Sequence, residues 1–182
     1  ANKHKTILIT ADENFKKKDK IPVHSVPTVI SNYYHMDFWG YADEEGVSQL
    51  GANHPLSVIK NGQNIQVYTQ ATDTNGPGGP AIPYYFLDNE NRAPSLERVA
   101  STEVTSSGKS GDVISTAALG DPLFMGKTQN SKMCFFGIVE SDFWTPQARD
   151  LFEECVLYVT SECSVDSDCG VPNVIGEKFC QL

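Results

Sequence analysis

The residues of this chain with most to offer chemically are four histidines, an aromatic cluster and five cysteines. His4, His24, His35 and His54 are widely spaced, and none has a partner at i+2 to i+4 of the kind that suggests a metal site. His35 and Asp37 lie together among aromatics and could form an acid/base or ligand-holding pair. A histidine satisfied by ordinary hydrogen bonds is the commoner outcome. Around them Tyr33, Tyr34, Phe38, Trp39 and Tyr41 could stack on a sugar ring or pack against another subunit, since each joins a large apolar area to a flat face. The same residues could equally fill the core. His54, followed by Pro55, reads as a turn residue able to supply one more polar contact. The candidate ligand-binding set is therefore Tyr33, Tyr34, His35, Asp37, Trp39 and His54.

The cysteines fall into two kinds. Cys134 lies in the apolar run Met133-Cys134-Phe135-Phe136 and Cys155 in a helix-like segment, so both read as buried thiols. Cys163, Cys169 and Cys180 occupy a polar tail whose spacings differ from the paired Cys-x-x-Cys knuckles of a structural zinc site. A small disulfide-stapled appendix is the expectation, and with it an oxidising, extracellular or cell-surface setting. An odd number of cysteines leaves at least one free or paired outside the chain, and the tail's short end suggests a larger precursor. Asp166 and Asp168 in that tail, and Asp43 with Glu44 and Glu45, are oxygen donors of the type calcium takes, with solvated acids as the bland alternative.

The usual catalytic signatures are missing. Gly108-Lys109-Ser110 ends like a phosphate-binding loop, but position 103, where that motif needs glycine, is Glu. There is no Gly-x-Ser-x-Gly elbow, Cys-x-x-Cys, His-Glu-x-x-His or EF-hand loop, and no Asn-x-Ser/Thr sequon. Fourteen Lys and Arg against 23 Asp and Glu give a net charge of -9, which disfavours nucleic acid as a partner. No apolar run is long enough for a membrane helix.

These residues need elements to hold them. With 182 residues the chain suits one ordinary domain. Strands are expected at Thr6–Thr10, Val26–Ser31, Asn64–Gln70, Arg98–Thr105, Asp112–Ala118 and Lys132–Val139, from β-branched or alternating apolar residues. Asn53-His54-Pro55 and Lys60-Asn61-Gly62 are turn chemistry, and Ser106–Gly111 should close a hairpin. The Gly- and Pro-dominated stretch Asp73–Pro80 reads as an exposed loop. One helix is clear, from Thr145 to Glu162. Thr145 suits an N-cap, Pro146 suits the first turn, and Ala148, Leu151, Phe152, Cys155, Val156 and Val159 repeat on one face. A sheet with a helix on it gives an α/β class, with residues 1–162 as the domain and 163–182 as the cysteine-rich tail.

The order of short motifs carries a resemblance. Val26-Pro-Thr-Val-Ile, aromatics leading to Gly40, Asn53-His54-Pro55-Leu56, Val67-Tyr68, Asp112-Val-Ile through Leu119-Gly120, Cys134-Phe-Phe-Gly137, and Phe143-Trp144-Thr145 before Leu151-Phe152 and Tyr158 follow one another. In this order they resemble the later half of a type 1 glutamine amidotransferase-like domain of the trehalose-utilisation, ThuA-like branch. The resemblance covers residues 24 to 160 and implies a flavodoxin-like three-layer fold, incomplete at its N-terminus. Its departures are informative: no histidine follows residue 54 and Cys134 sits inside an apolar strand, so the family's Cys-His-Glu triad cannot be built in chain order. A sheet lacking its first strands would offer an edge to a neighbour. The expected function is a non-catalytic extracellular or cell-surface protein that self-associates, even into filaments, or docks on a partner chain. The alternative is a carbohydrate-binding or carbohydrate-processing protein.

Overall fold

The computed structural model describes residues 8–10, 14, 16–43, 47–51, 55–73, 79–102, 110–161, 169–172 and 178–180, with backbone only at 47–51, 169–172 and 178–180. Nine strands form one mixed sheet: β1 (Leu8–Thr10), β2 (Thr28–Ile30), β3 (Val47–Gly51), β4 (Leu56–Val58), β5 (Gln63–Ile65), β6 (Pro83–Asp88), β7 (Glu97–Thr102), β8 (Gly111–Ala117) and β9 (Met133–Phe136). They run in the order β1-β2-β9-β8-β7-β4-β5, with β6 joining the start of β8 to β3. The pairs β1/β2 and β2/β9 are parallel; every other pair is antiparallel. Two α-helices accompany the sheet among the described residues: the single turn α1 (Met36–Trp39) and α2 (Pro146–Thr160). The α/β class holds.

Side chains alternate between the faces of a strand, and this assigns the two cores. On one face Val29, Cys134 and Phe136 pack with Ala148, Leu151, Cys155, Tyr158 and Val159 of α2. On the other, Ile30, Met133 and Phe135 pack with Met36, Trp39, Tyr41 and Leu123. Strands β2, β8 and β9 are buried along their whole length, which is why their sequences read as near-continuous apolar or small-residue runs.

Helix α2 begins as its sequence dictates. The Thr145 hydroxyl accepts from the Ala148 N–H at 3.2 Å, and Pro146 fills the first turn where no donor is needed. Cys155, on its inner face, is bonded to Cys134 of β9. The expectation of two buried thiols is thus corrected: both sulfurs are fully buried, but they form a disulfide that ties the helix to the sheet. The three remaining cysteines lie in the tail. There β10 (Cys169–Pro172) and β11 (Lys178–Cys180) pair antiparallel, with Cys169 opposite Cys180, in a ladder separate from the main sheet. Cys163 lies outside the described residues.

Two other expectations need correction. The strand foreseen at Asn64–Gln70 ends at Ile65, because the next residues turn to the segment ahead of α2: Thr69 N–H donates to the Phe143 carbonyl and Thr145 N–H to that of Val67. The strand β6, Pro-Tyr-Tyr-Phe-Leu-Asp, was not foreseen, although it is almost wholly buried; its proline stands at the first position, where a strand tolerates it. The other foreseen strands are present: β2 and β9 are shorter than expected, β8 is shifted by one residue, β1 and β7 lie where expected within the described residues, and β7 and β8 form the expected hairpin. Lys60-Asn61-Gly62 turns β4 into β5 with Gly62 at φ 65°. Residues 74–78 of the Gly/Pro loop lie outside the described residues, and its neck is closed by Asp73 N–H donating to the Pro80 carbonyl.

The disulfide predicts a measurable share of stability. Replacing both partners, Cys134→Ala with Cys155→Ala, should lower the unfolding free energy in urea by about 3 kcal/mol, from the loop-closure entropy the crosslink removes from the unfolded chain. An unchanged urea midpoint would contradict this.

Candidate functional site

The aromatic cluster is split by the fold. After β2 the chain turns through Tyr33 and Tyr34 into α1, and Gly40 ends that turn of helix at φ 83°. A side chain at Gly40 would bring a Cβ to 2.7 Å from the Phe124 carbonyl oxygen, so close approach as well as conformation calls for glycine there. His35 and Trp39 face inward, 2% and 1% exposed, with their rings edge to face at 5.4 Å. The Trp39 indole donates to the Lys18 carbonyl, and the Trp39 carbonyl lies 2.8 Å from His24 Nε2. Tyr41, buried beside them, donates to Gln129 Oε1 at 2.9 Å. Burial lowers the pKa of His35, helped by Lys18, against the opposing pull of the Tyr34 backbone and Asp37. His24 is lowered by burial too.

Tyr34 is exposed, while Tyr33 and Asp37 are half-buried. Tyr33 is stacked between Tyr34, at 4.0 Å between ring centroids, and Tyr85 of β6, at 3.7 Å. Tyr34 is 43% exposed. The Asp37 carboxylate accepts from the Phe38 N–H at 2.6 Å. The Phe38 ring has Lys18 and Lys127 ammonium groups 4.6 and 4.7 Å from its centroid, and Lys127 also donates to the Phe38 carbonyl. The fold thus gathers Tyr33, Tyr34, His35, Asp37 and Trp39 around α1: His35 and Trp39 inside, Tyr33 and Asp37 half-buried and Tyr34 exposed. His54, Asp166 and Asp168 lie outside the described residues. Among the described residues no group of three or more His, Cys, Asp or Glu is placed to hold a metal, and no helix is long and apolar enough to cross a membrane.

Two charged features were not foreseen. Asp112, wholly buried where β8 meets both β6 and β7, receives Arg92 Nε at 3.1 Å and a hydrogen bond from Arg98 Nε. Arg98 also donates to Asn89 Oδ1, and Arg92 to the Leu96 carbonyl at 2.5 Å. Burial pushes the Asp112 carboxyl up, and the two guanidiniums pull it back. An aspartate at the head of an apolar strand was the available signal. The second feature is Glu154, on the side of α2. Burial raises its pKa to about 7, with Lys60 opposing and Asp150 adding. The helical pattern alone leaves it among the polar residues of α2.

Glu154 makes stability depend on pH in a definite direction. With its folded pKa above the unfolded value, the folded state holds more protons between about pH 4.5 and 7. Its ionisation therefore weakens the fold as pH rises through that window. Glu154→Gln should raise the melting temperature by about 2 °C at pH 8 and by less at pH 5, measured by calorimetry. A gain that is equal at both pH values would contradict the assignment. In comparisons with protein-family models, with curated proteins and with solved structures, no match to this chain was found.

Proposed function

We propose that this chain is a non-catalytic structural or binding protein of an oxidising, extracellular or cell-surface compartment, which acts by self-association or by docking on a partner chain. The observation that carries the reading is the division of the aromatic cluster. The groups with acid/base potential, His24 and His35, are engaged within the fold, whereas the tyrosine stack is anchored on β6 and presents Tyr34 outward. A rigid aromatic edge held in place before contact loses little entropy on binding, and tyrosine is enriched at such contacts. The buried Cys134–Cys155 disulfide supports an oxidising compartment. The parallel strip β1-β2-β9 with α2 against it is the part in keeping with a ThuA-like, flavodoxin-like three-layer domain that lacks the triad.

A second reading rests on the same stack. Exposed Tyr34 offers a ring face and half-buried Asp37, three residues on, an acceptor, the pair of features a sugar needs. The two readings diverge in a simple experiment. Light scattering of the full chain should give a mass above that of the 20.0 kDa monomer, rising with concentration. Tyr34→Ala should shift that mass toward the monomer with the melting temperature unchanged. A monomer at every concentration, together with calorimetric heat on titration with a panel of mono- and oligosaccharides at millimolar levels, would replace self-association with sugar binding.

A further inference from the structure

We propose that self-association is head to tail: the Lys18–Phe38–Lys127 rim around α1, capped by Met125, docks on the outer face of α2 of a second copy. This rests on the self-association reading: to Tyr34, two residues ahead of α1, it adds the rim residues of the same surface, and it names the second surface. The first observation is the placement of charge in a chain whose net charge is -9. Exposed Lys16, Lys17 and Lys20 precede or follow Lys18, and Lys127 meets Lys18 at the Phe38 ring. Among the described acids near it, Asp19 lies 3.1 Å from Lys20, Asp37 is bonded to its own helix, and Asp121 accepts from the Ala118 N–H. The outer surface of α2 and the turn before it carry exposed Glu140, Asp142, Asp150 and Glu153 and half-buried Glu154, and these outnumber the bases there: Arg149, Lys60, which acts on Glu154, and Lys132, bonded to Ser161. Because α1 and α2 cover opposite faces of the sheet, the basic and acidic surfaces point away from each other. They cannot pair within one molecule. They can pair between molecules.

The second observation is Met125. It stands at the tip of the tight turn Phe124-Met125-Gly126-Lys127, 65% exposed, with φ 58° and ψ 27°. Left-handed backbone at a bulky residue is disfavoured, and glycine or asparagine is the usual choice for this position of a tight turn. An exposed methionine at this position presents a flexible, polarizable apolar side chain suited to contact. The turn is fixed to α1, since Phe124 N–H donates to the Gly40 carbonyl at 2.9 Å. Across the molecule, Asp150, Glu153 and Leu157 share one stripe of α2, and Leu157 is 53% exposed. Each surface thus combines one exposed apolar residue with an excess of charge of one sign, and the signs are opposite. An interface between two different surfaces of the same chain leaves one of each unused at the ends, so it propagates unless the rotation closes a ring.

The test uses charge reversal in the full chain. Lys18→Glu with Lys127→Glu should weaken assembly, read by light scattering, by about tenfold or more in midpoint concentration, and so should Asp150→Lys with Glu153→Lys. Mixed together, the two variants should form a one-to-one complex, because each keeps the surface the other has lost. Met125→Gly should weaken assembly while keeping or raising the melting temperature, which separates lost contact from lost fold. Assembly of the unaltered chain should weaken as salt rises from about 0.05 to about 0.5 M. An assembly indifferent to salt and to both reversals overturns the head-to-tail geometry and leaves self-association standing. A monomer under all conditions overturns both. Co-sedimentation of a monomeric chain with phosphatidylserine vesicles, lost in the lysine variant, would assign the rim to a membrane surface and likewise overturn the proposal.

Discussion

Strand β9 is buried on both faces, and most of the structure follows from the need to cover it. Its four residues alternate between two cores: Cys134 and Phe136 require the amphipathic face of α2, and Met133 and Phe135 require the layer built from α1 and the segments around it. It is also the strand at which the sheet changes character, parallel to β2 on one side and antiparallel to β8 on the other. One apolar helix face is matched to one sheet face, and the Cys134–Cys155 bond holds that pairing. The opposite face has no long helix among the described residues. It is covered by short turns, whose backbone is met in part by side chains such as Gln129, donating to the Val23 carbonyl, and which turn through glycines such as Gly40.

The second organising point lies at the head of β8, where three strands converge on Asp112. A carboxylate without solvent contact is costly, and two arginines from neighbouring segments offset part of that cost. The arrangement ties the turn after β6 and the start of β7 to one position of β8. It makes the branching of the sheet specific, because a slip in register would strand either the carboxylate or a guanidinium. This is structural use of charge in the interior, distinct from the segregated charges of the surface.

The parts of this fold legible in the sequence are those in which a local pattern and the tertiary environment agree. Helix α2 carried its N-cap, its proline and its apolar repeat in one stretch, and appears within two residues of the expected span. Strands β2, β8 and β9 were visible because double-sided burial leaves runs of apolar, β-branched and small residues. Strand β6 hid behind the adjacent Gly- and Pro-rich loop and its own leading proline. The Cys134–Cys155 bond was hidden for a different reason: each cysteine sat in an apolar context that explained it alone, and their proximity depends on how α2 folds back over β9. Of the candidate site, the clustering of residues 33 to 41 was legible. Which of them turn inward was not, because a run of aromatics carries no period that separates buried from exposed positions.

The parallel pairing of β2 with β9 joins Thr28 to Met133, roughly a hundred residues apart, the kind of distant contact that delays folding. Apart from β1, β2 has no sheet neighbour other than β9. During synthesis the first two strands must therefore wait, with an apolar strand unpaired along one side, until nearly the whole sheet has been made. The antiparallel group β3 to β8 is closer to completion by then and can be formed before the N-terminal strands are admitted. The interval in which Val29 and Ile30 lack their cover is when the growing chain is most open to capture by a neighbour.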